Sequence, residues 1–200
     1  MRITKIVLSV LSVLAFGTLG FAQAAPATSP SGCKLQPADR LAKRPSPPGV
    51  AETQLNGKDV RIDYGRPKIA DPQSGQPRKI FGGAPVPFDQ VWRLGANEAT
   101  ALHTETDLDI NGTTVPAGNY TLFAMVTADK WTLIVHKKTC EWGIPYPGEQ
   151  DELARIPMKL EKTSSTVDPF TITFDKKGGN AATLSFAWEN TKASVDVKGK

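Results

Sequence analysis

From Val50 onward the dominant period of the apolar residues is two, the period of a strand. Val60, Ile62 and Tyr64 alternate with Arg61 and Asp63. Tyr120, Leu122, Ala124 and Val126 alternate with Thr121, Phe123 and Met125, and Trp131, Leu133 and Val135 with Thr132, Ile134 and His136. Phe170, Ile172 and Phe174 continue the series, then Leu184, Phe186 and Trp188, then Val195 and Val197. Successive side chains of a strand point to opposite faces, so this period describes strands with two distinct faces. Asn56-Gly57 and Asn111-Gly112 separate such runs, and both dipeptides accept the positive φ of two-residue hairpin turns. Ala128–Lys130 and Lys176–Asn180 read as further reversals, giving about nine strands.

No segment sustains a 3.6-residue period. At most Phe88–Leu94 forms a helical turn, started by Asp89 and stopped by Gly95. Short strands with Gly/Pro turns at close spacing predict an all-β fold with little helix: an antiparallel β-sandwich or a barrel-like variant of it. The runs Asn119–Thr127 and Trp131–Lys137 are apolar on both faces, which places that hairpin centrally. The leader and the last strand are expected at the edges.

The N-terminus sets the expected compartment. Arg2 and Lys5 precede an apolar run from Ile6 to Phe21, and Ala22-Gln23-Ala24 has the small-x-small pattern that signal peptidase cuts. The run is short for a membrane span of roughly 20 residues. Residues 1–24 are therefore read as a signal peptide cleaved after Ala24, with no stable membrane insertion afterwards, and the chain as periplasmic or secreted. Without Arg2 and Lys5 the chain keeps 22 basic against 20 acidic residues. No basic run is interleaved with aromatics, so no nucleic-acid partner is expected. Residues 25–48 are rich in Pro and lack any period, which predicts an extended leader that contributes little to the fold. Residues 49–200 form the single domain. The two cysteines, Cys33 and Cys140, are expected to pair in an oxidising compartment; two free thiols, or Cys33 bonded to another chain, are the alternatives.

Six motifs occur in order: IDYGRP at Ile62–Pro67, RKIFGG at Arg78–Gly83, VWRLGANEAT at Val91–Thr100, VPAGNYTLF at Val115–Phe123, WTLIVHK at Trp131–Lys137 and FAWENTKASV at Phe186–Val195. On these the chain resembles the secreted bacterial family catalogued as domain of unknown function 2911, over about Ser46 to Val197. The resemblance implies a β-rich secreted domain and brings no activity, substrate or catalytic set. Family members usually carry a small residue where this chain has Cys140, so a Cys33–Cys140 bridge would be particular to this chain.

The chemistry has to come from the residues. His103 and His136 are the only histidines, without metal-ligand spacing, so no metal or other cofactor is expected. There is no G-x-S-x-G. The polar residues of the segment Arg78–Thr100 and its neighbours, Arg66, Arg78, Arg93, Asn97, Glu98 and His103, are candidates because polar groups on a loop between rigid strands can form a site. Arg93 and Glu98 flank Gly95 and can fold toward each other as a matched fork. That pair either pins the loop or, with Asn97, orients a ligand. His103 faces away from Leu102 and is expected to be exposed. Trp142 and Tyr146, on a Pro/Gly-stiffened loop, either wall a small-molecule or sugar pocket or cover the sandwich; Trp92, Trp131 and Trp188 belong to the core. Ligand-binding candidates are thus Arg66, Arg93, Asn97, Glu98, Trp142 and Tyr146. The expected function is non-catalytic, a binding or structural module for a small molecule or carbohydrate-like ligand. The alternative is a hydrolase or lyase using Glu98 with Arg93 or His103 as acid and base.

Overall fold

The computed structural model describes residues 32–33, 40 and 43–200, so the signal peptide assigned to 1–24 and much of the 25–48 leader lie outside the described residues. Ten strands follow one another: β1 (Pro48–Leu55), β2 (Lys58–Gly65), β3 (Gln90–Trp92), β4 (Thr100–Thr104), β5 (Leu108–Ile110), β6 (Thr113–Val115), β7 (Gly118–Val126), β8 (Trp131–His136), β9 (Glu152–Gly178) and β10 (Ala181–Gly199). From Pro48 onward the only helix is one 3-10 turn, Glu149–Asp151. Both Asn-Gly dipeptides make the expected turns. Leu55 pairs with Lys58 and Ile110 with Thr113, and the turn residues have φ of 52° and 70° in the first and 49° and 85° in the second.

Every pairing between these strands is antiparallel, in the order β1-β2-β4-β7-β8-β9-β10-β5-β6, with β3 also on β7. The order ends at β1 and β6, so it does not close into a barrel. β9 makes the corner: its start pairs with β8, up to Met158, and from Lys159 onward it pairs with β10. Straight, its 27 residues would reach roughly 90 Å, about twice the width of a domain of this size. The strand must bend. Opposite it, β10 shifts register between Ala187 and Glu189 and again between Glu189 and Thr191, with Glu189 at φ 51°, as bulges do where a sheet turns. The result is the antiparallel β-sandwich.

Three placements differ from expectation. Phe88–Leu94 is not a helical turn, because Gln90–Trp92 pairs with β7, and backbone pairing outweighs a local start signal there. The last strand is not an edge but lies between β9 and β5. The first half of β9 is not among the expected strands: Ala154, Ile156, Met158 and Leu160 alternate with Arg155, Pro157, Lys159 and Glu161, but a proline inside the run argues against a strand, and the residues from Glu161 to Asp168 are mostly polar and exposed.

The core between the two faces is aromatic. Trp92 meets Trp131 and Trp188 with ring centroids 6.1 Å away in each case, and Phe170 at 5.1 Å. The double-sided apolarity of β7 and β8 has a second cause on the outer face. There Phe123 and Ile134 are fully buried beneath Tyr146, whose ring centroid is 5.0 Å from that of Phe123. The central hairpin is buried on both faces because a loop covers the side that a plain sandwich would leave wet.

The leader is less independent than its composition suggests. Cys33 and Cys140 form a disulfide across 107 residues, Arg66 N–H donates to Pro47 O at 2.9 Å, and β1 already begins at Pro48. In the chain-entropy account such a bridge restricts the unfolded chain, typically by 2–4 kcal/mol. Thiol titration of the unreduced, denatured protein should find no free thiol. Reduction should lower the stability measured by urea unfolding by about 2–4 kcal/mol; an unchanged unfolding curve would show that the tether does not stabilise the fold.

Candidate functional site

β3 and β4 pair with the same edge of β7, Gln90–Trp92 opposite Val126–Ala124 and Thr100–Thr104 opposite Leu122–Gly118. The segment 93–99 must therefore leave the sheet and return to it. Buried bonds latch it: Trp92 Nε1–H donates to Gly95 O at 3.1 Å and Thr100 Oγ1–H to Leu94 O at 2.6 Å. Leu94 and Asn97 take φ of 50° and 66°, an unfavourable region for a leucine, which the loop sustains because the Leu94 side chain is fully buried in the core. Gly65 makes room for the loop. A Cβ there would lie 1.9 Å from Ala96 O.

Arg93 joins this loop to the next one. Its Nη1 donates to Asn97 O and, at 3.0 Å, to Trp142 O, while its guanidinium lies 5.5 Å from the centre of the Trp142 ring. Burial lowers the Arg93 pKa against the opposing charge of Glu98. The expected Arg93–Glu98 ion pair is not formed. Glu98 is gripped instead by both terminal nitrogens of Arg44, at 2.5 and 2.8 Å, which holds its carboxyl below the usual range. Two loop carbonyls, not the nearby opposite charge, took Nη1 of Arg93. Asn97 Nδ2 donates to Ser46 O at 2.9 Å, so Arg44 and Ser46 tie the leader into the site.

A cleft of about 730 Å³ opens beside this junction. Trp92, Trp188 and Val91 line it from β10 and β3, Met125 and Tyr146 from β7 and the 140–148 loop, and Arg78, Asp89 and Arg93 supply its charges. Of the site candidates named from the sequence, Arg78, Arg93 and Tyr146 line the cleft; Asn97, Glu98 and Trp142 do not. Arg66 does not line it. Its Nε and Nη2 donate to Phe170 O at 3.4 Å and Thr171 Oγ1 at 3.2 Å, joining β2 to β9. His103 is half-buried and bonds Asn119 Oδ1 at 2.7 Å. Trp142 and Tyr146 do not form one wall: Trp142 is 54% exposed, whereas the Tyr146 hydroxyl donates to Glu152 and its pKa is pushed up by burial and then by that carboxylate. Arg155 holds Glu152 below the usual carboxylate range. Among the described residues no three His, Cys, Asp or Glu side chains gather as a metal-ligand set, and no helix is long and apolar enough to cross a membrane.

The sequence placed Trp188 in the core and marked none of Asp89, Met125 and Ser46 as a site residue. Trp188 is in the core, and it also lines the cleft. Its alternation signals burial alone, and no sequence period distinguishes a core residue beneath a cleft from one beneath another strand.

Two outcomes are expected from this geometry. Gly65→Ala should cost about 2–4 kcal/mol in chemical denaturation, because a backbone carbonyl has to move; a cost under about 0.5 kcal/mol would mean that the loop is not pressed on β2. Glu98 has a folded pKa below its ordinary value of 4.5, so its stabilisation is present above that value and is lost as pH falls through the lower folded one. Its side chain is 47% exposed, so Arg44→Ala should cost no more than about 1 kcal/mol at neutral pH. It should also flatten the loss of stability below pH 4.5, as read from urea unfolding on both sides of that value.

No curated protein and no solved structure matches the chain. One family model does, over residues 46–197, under the description "Protein of unknown function (DUF2911)". The matched span starts at Ser46 on the cleft rim and includes Gly65, the whole 93–99 loop and Trp188. The chain belongs to the DUF2911 family of proteins of unknown function.

Proposed function

We propose that this is an exported, periplasmic or secreted, non-catalytic module that binds a small molecule, glycan-like or otherwise, in the cleft beside Arg93. The observation that carries the reading is a cleft large enough for such a ligand with a rim that is already braced. Arg93 clamps two loop carbonyls, Asn97 holds Ser46, and the disulfide anchors the start of the 140–148 loop. A preorganised rim loses little entropy on binding. The Cys33–Cys140 bridge is compatible with an oxidising compartment.

The acid/base alternative draws no support from the geometry. It needs Glu98 in a concave pocket with a second titratable group in reach. Glu98 does not line the cleft and is paired with Arg44, and His103 is engaged with Asn119 between β4 and β7.

A thermal-shift screen of soluble metabolites and mono- and disaccharides tests the reading. A ligand at about a hundred times its Kd stabilises by roughly 2.7 kcal/mol, which for a domain of this size raises Tm by roughly 5–10 °C. Gln90 is exposed at the cleft mouth, so Gln90→Trp should leave the unliganded Tm unchanged and abolish the shift. Ligand shifts that survive this obstruction would place binding elsewhere.

A further inference from the structure

Two residues of the cleft lining carry a buried N–H without an acceptor. Trp188 is 1% exposed and its indole N–H has no acceptor among the described residues. The Nε of Arg78 is likewise buried without an acceptor. Both residues line the same cleft. A buried donor left without a partner is costly, and an arriving acceptor removes that cost.

The charges point the same way. The cleft's two cations, Arg78 and Arg93, face a single acid, the exposed Asp89. Arg78 has a carboxylate partner in Asp71, at 3.6 Å. Arg93 has no ion pair among the described residues, because Glu98, the nearest acid whose charge it feels, is bound to Arg44. Only its Nη1 is used, on two carbonyls, and a guanidinium matches a planar or tetrahedral oxyanion through two parallel bonds. Burial lowers the Arg93 pKa by more than the charge of Glu98 raises it. The remaining wall, with Val91, Met125, Pro145 and Tyr146, is largely apolar.

We infer that the ligand of this cleft is a small oxyanion on an apolar body, its carboxylate or phosphate oxygens taken by Arg93 and by the unpartnered N–H groups of Arg78 and Trp188. This deepens the binding reading above and rests on it. A neutral sugar fits less well, since its hydroxyl donors would find only Asp89 as an acidic acceptor. Both unpartnered nitrogens are shielded from water, so the ligand reaches them by parting the wall slightly. The indole resonance of Trp188 reports that contact directly.

The test uses the disulfide-bonded protein with ¹⁵N-labelled tryptophan, whose four indole signals are assigned by single Trp→Phe variants. Phenylacetate, phenyl phosphate, neutral phenylacetamide and methyl glucoside are titrated separately. At least one of the two anions should move the Trp188 signal saturably and bind at least about tenfold tighter than phenylacetamide, as a charge-assisted bond predicts. The stronger anion identifies a carboxylate or a phosphate ligand. Arg93→Gln should weaken it about tenfold or more. Because Arg93 also braces the rim, Arg78→Gln and added salt give independent readouts, and each should weaken anion binding. If phenylacetamide or the glucoside moves Trp188 as strongly as the anions do, the oxyanion inference falls while the binding module stands. If an anion binds without moving Trp188, the assigned site is wrong. If no probe moves any indole signal, the oxyanion inference falls, and the screen with Gln90→Trp decides separately whether the cleft binds anything.

Discussion

The guanidinium of Arg93 holds together two segments that no strand pairing joins. β3 ends at Trp92 and β4 starts at Thr100 on the same edge of β7, so the intervening loop has left the ladder and its carbonyls have lost their strand partners. Arg93 returns a donor to Asn97 O and carries the same nitrogen on to Trp142 O. Carbonyls that have left a ladder need other donors, and an arginine supplies several from one planar group. The 140–148 loop is thereby placed over β7 and β8, Tyr146 is pressed on Phe123, and the space left beside β3 is the cleft.

This arrangement sets the electrostatics of the site. An arginine that bonds only carbonyls has no ion-pair partner of its own, while its natural partner in the sequence, Glu98, sits outside the cleft under Arg44 and reaches Arg93 only through its field. The carboxylate that would have cancelled the site's charge holds the leader instead. Glu98 and Asn97 reach Arg44 and Ser46, and Cys140 reaches Cys33, so the leader straps both loops that border the cleft. Cys33, Arg44 and Ser46 become structural through three unlike contacts, covalent, ionic and backbone-directed.

β9 imposes the second constraint. A strand this long can be accommodated only by bending, and it supplies partners to both faces, β8 at its start and β10 beyond. That continuity brings Trp188 on β10 against Trp92 on β3, and so makes a residue of one face part of the cleft lining beside the other.

Much of this was legible in the residues. Period-two alternation and the two Asn-Gly turns determine strands, their inward faces and two hairpins, because side-chain direction and turn φ are local properties of the backbone. The doubly apolar runs Asn119–Thr127 and Trp131–Lys137 determine a central hairpin for the same reason. The family motifs mark the segment Val91–Thr100, and its polar composition marks it as a candidate site. The partner of Arg93 was not legible: two opposite charges five residues apart look like a pair in one dimension, and the tertiary structure gave each a nearer partner from a distant segment. Nor were the bend of β9, the interior place of β10 and the position of Trp188 beside a cleft. These depend on which strands meet and on which carbonyls are left unpaired once they have met, and no local period or spacing carries that information.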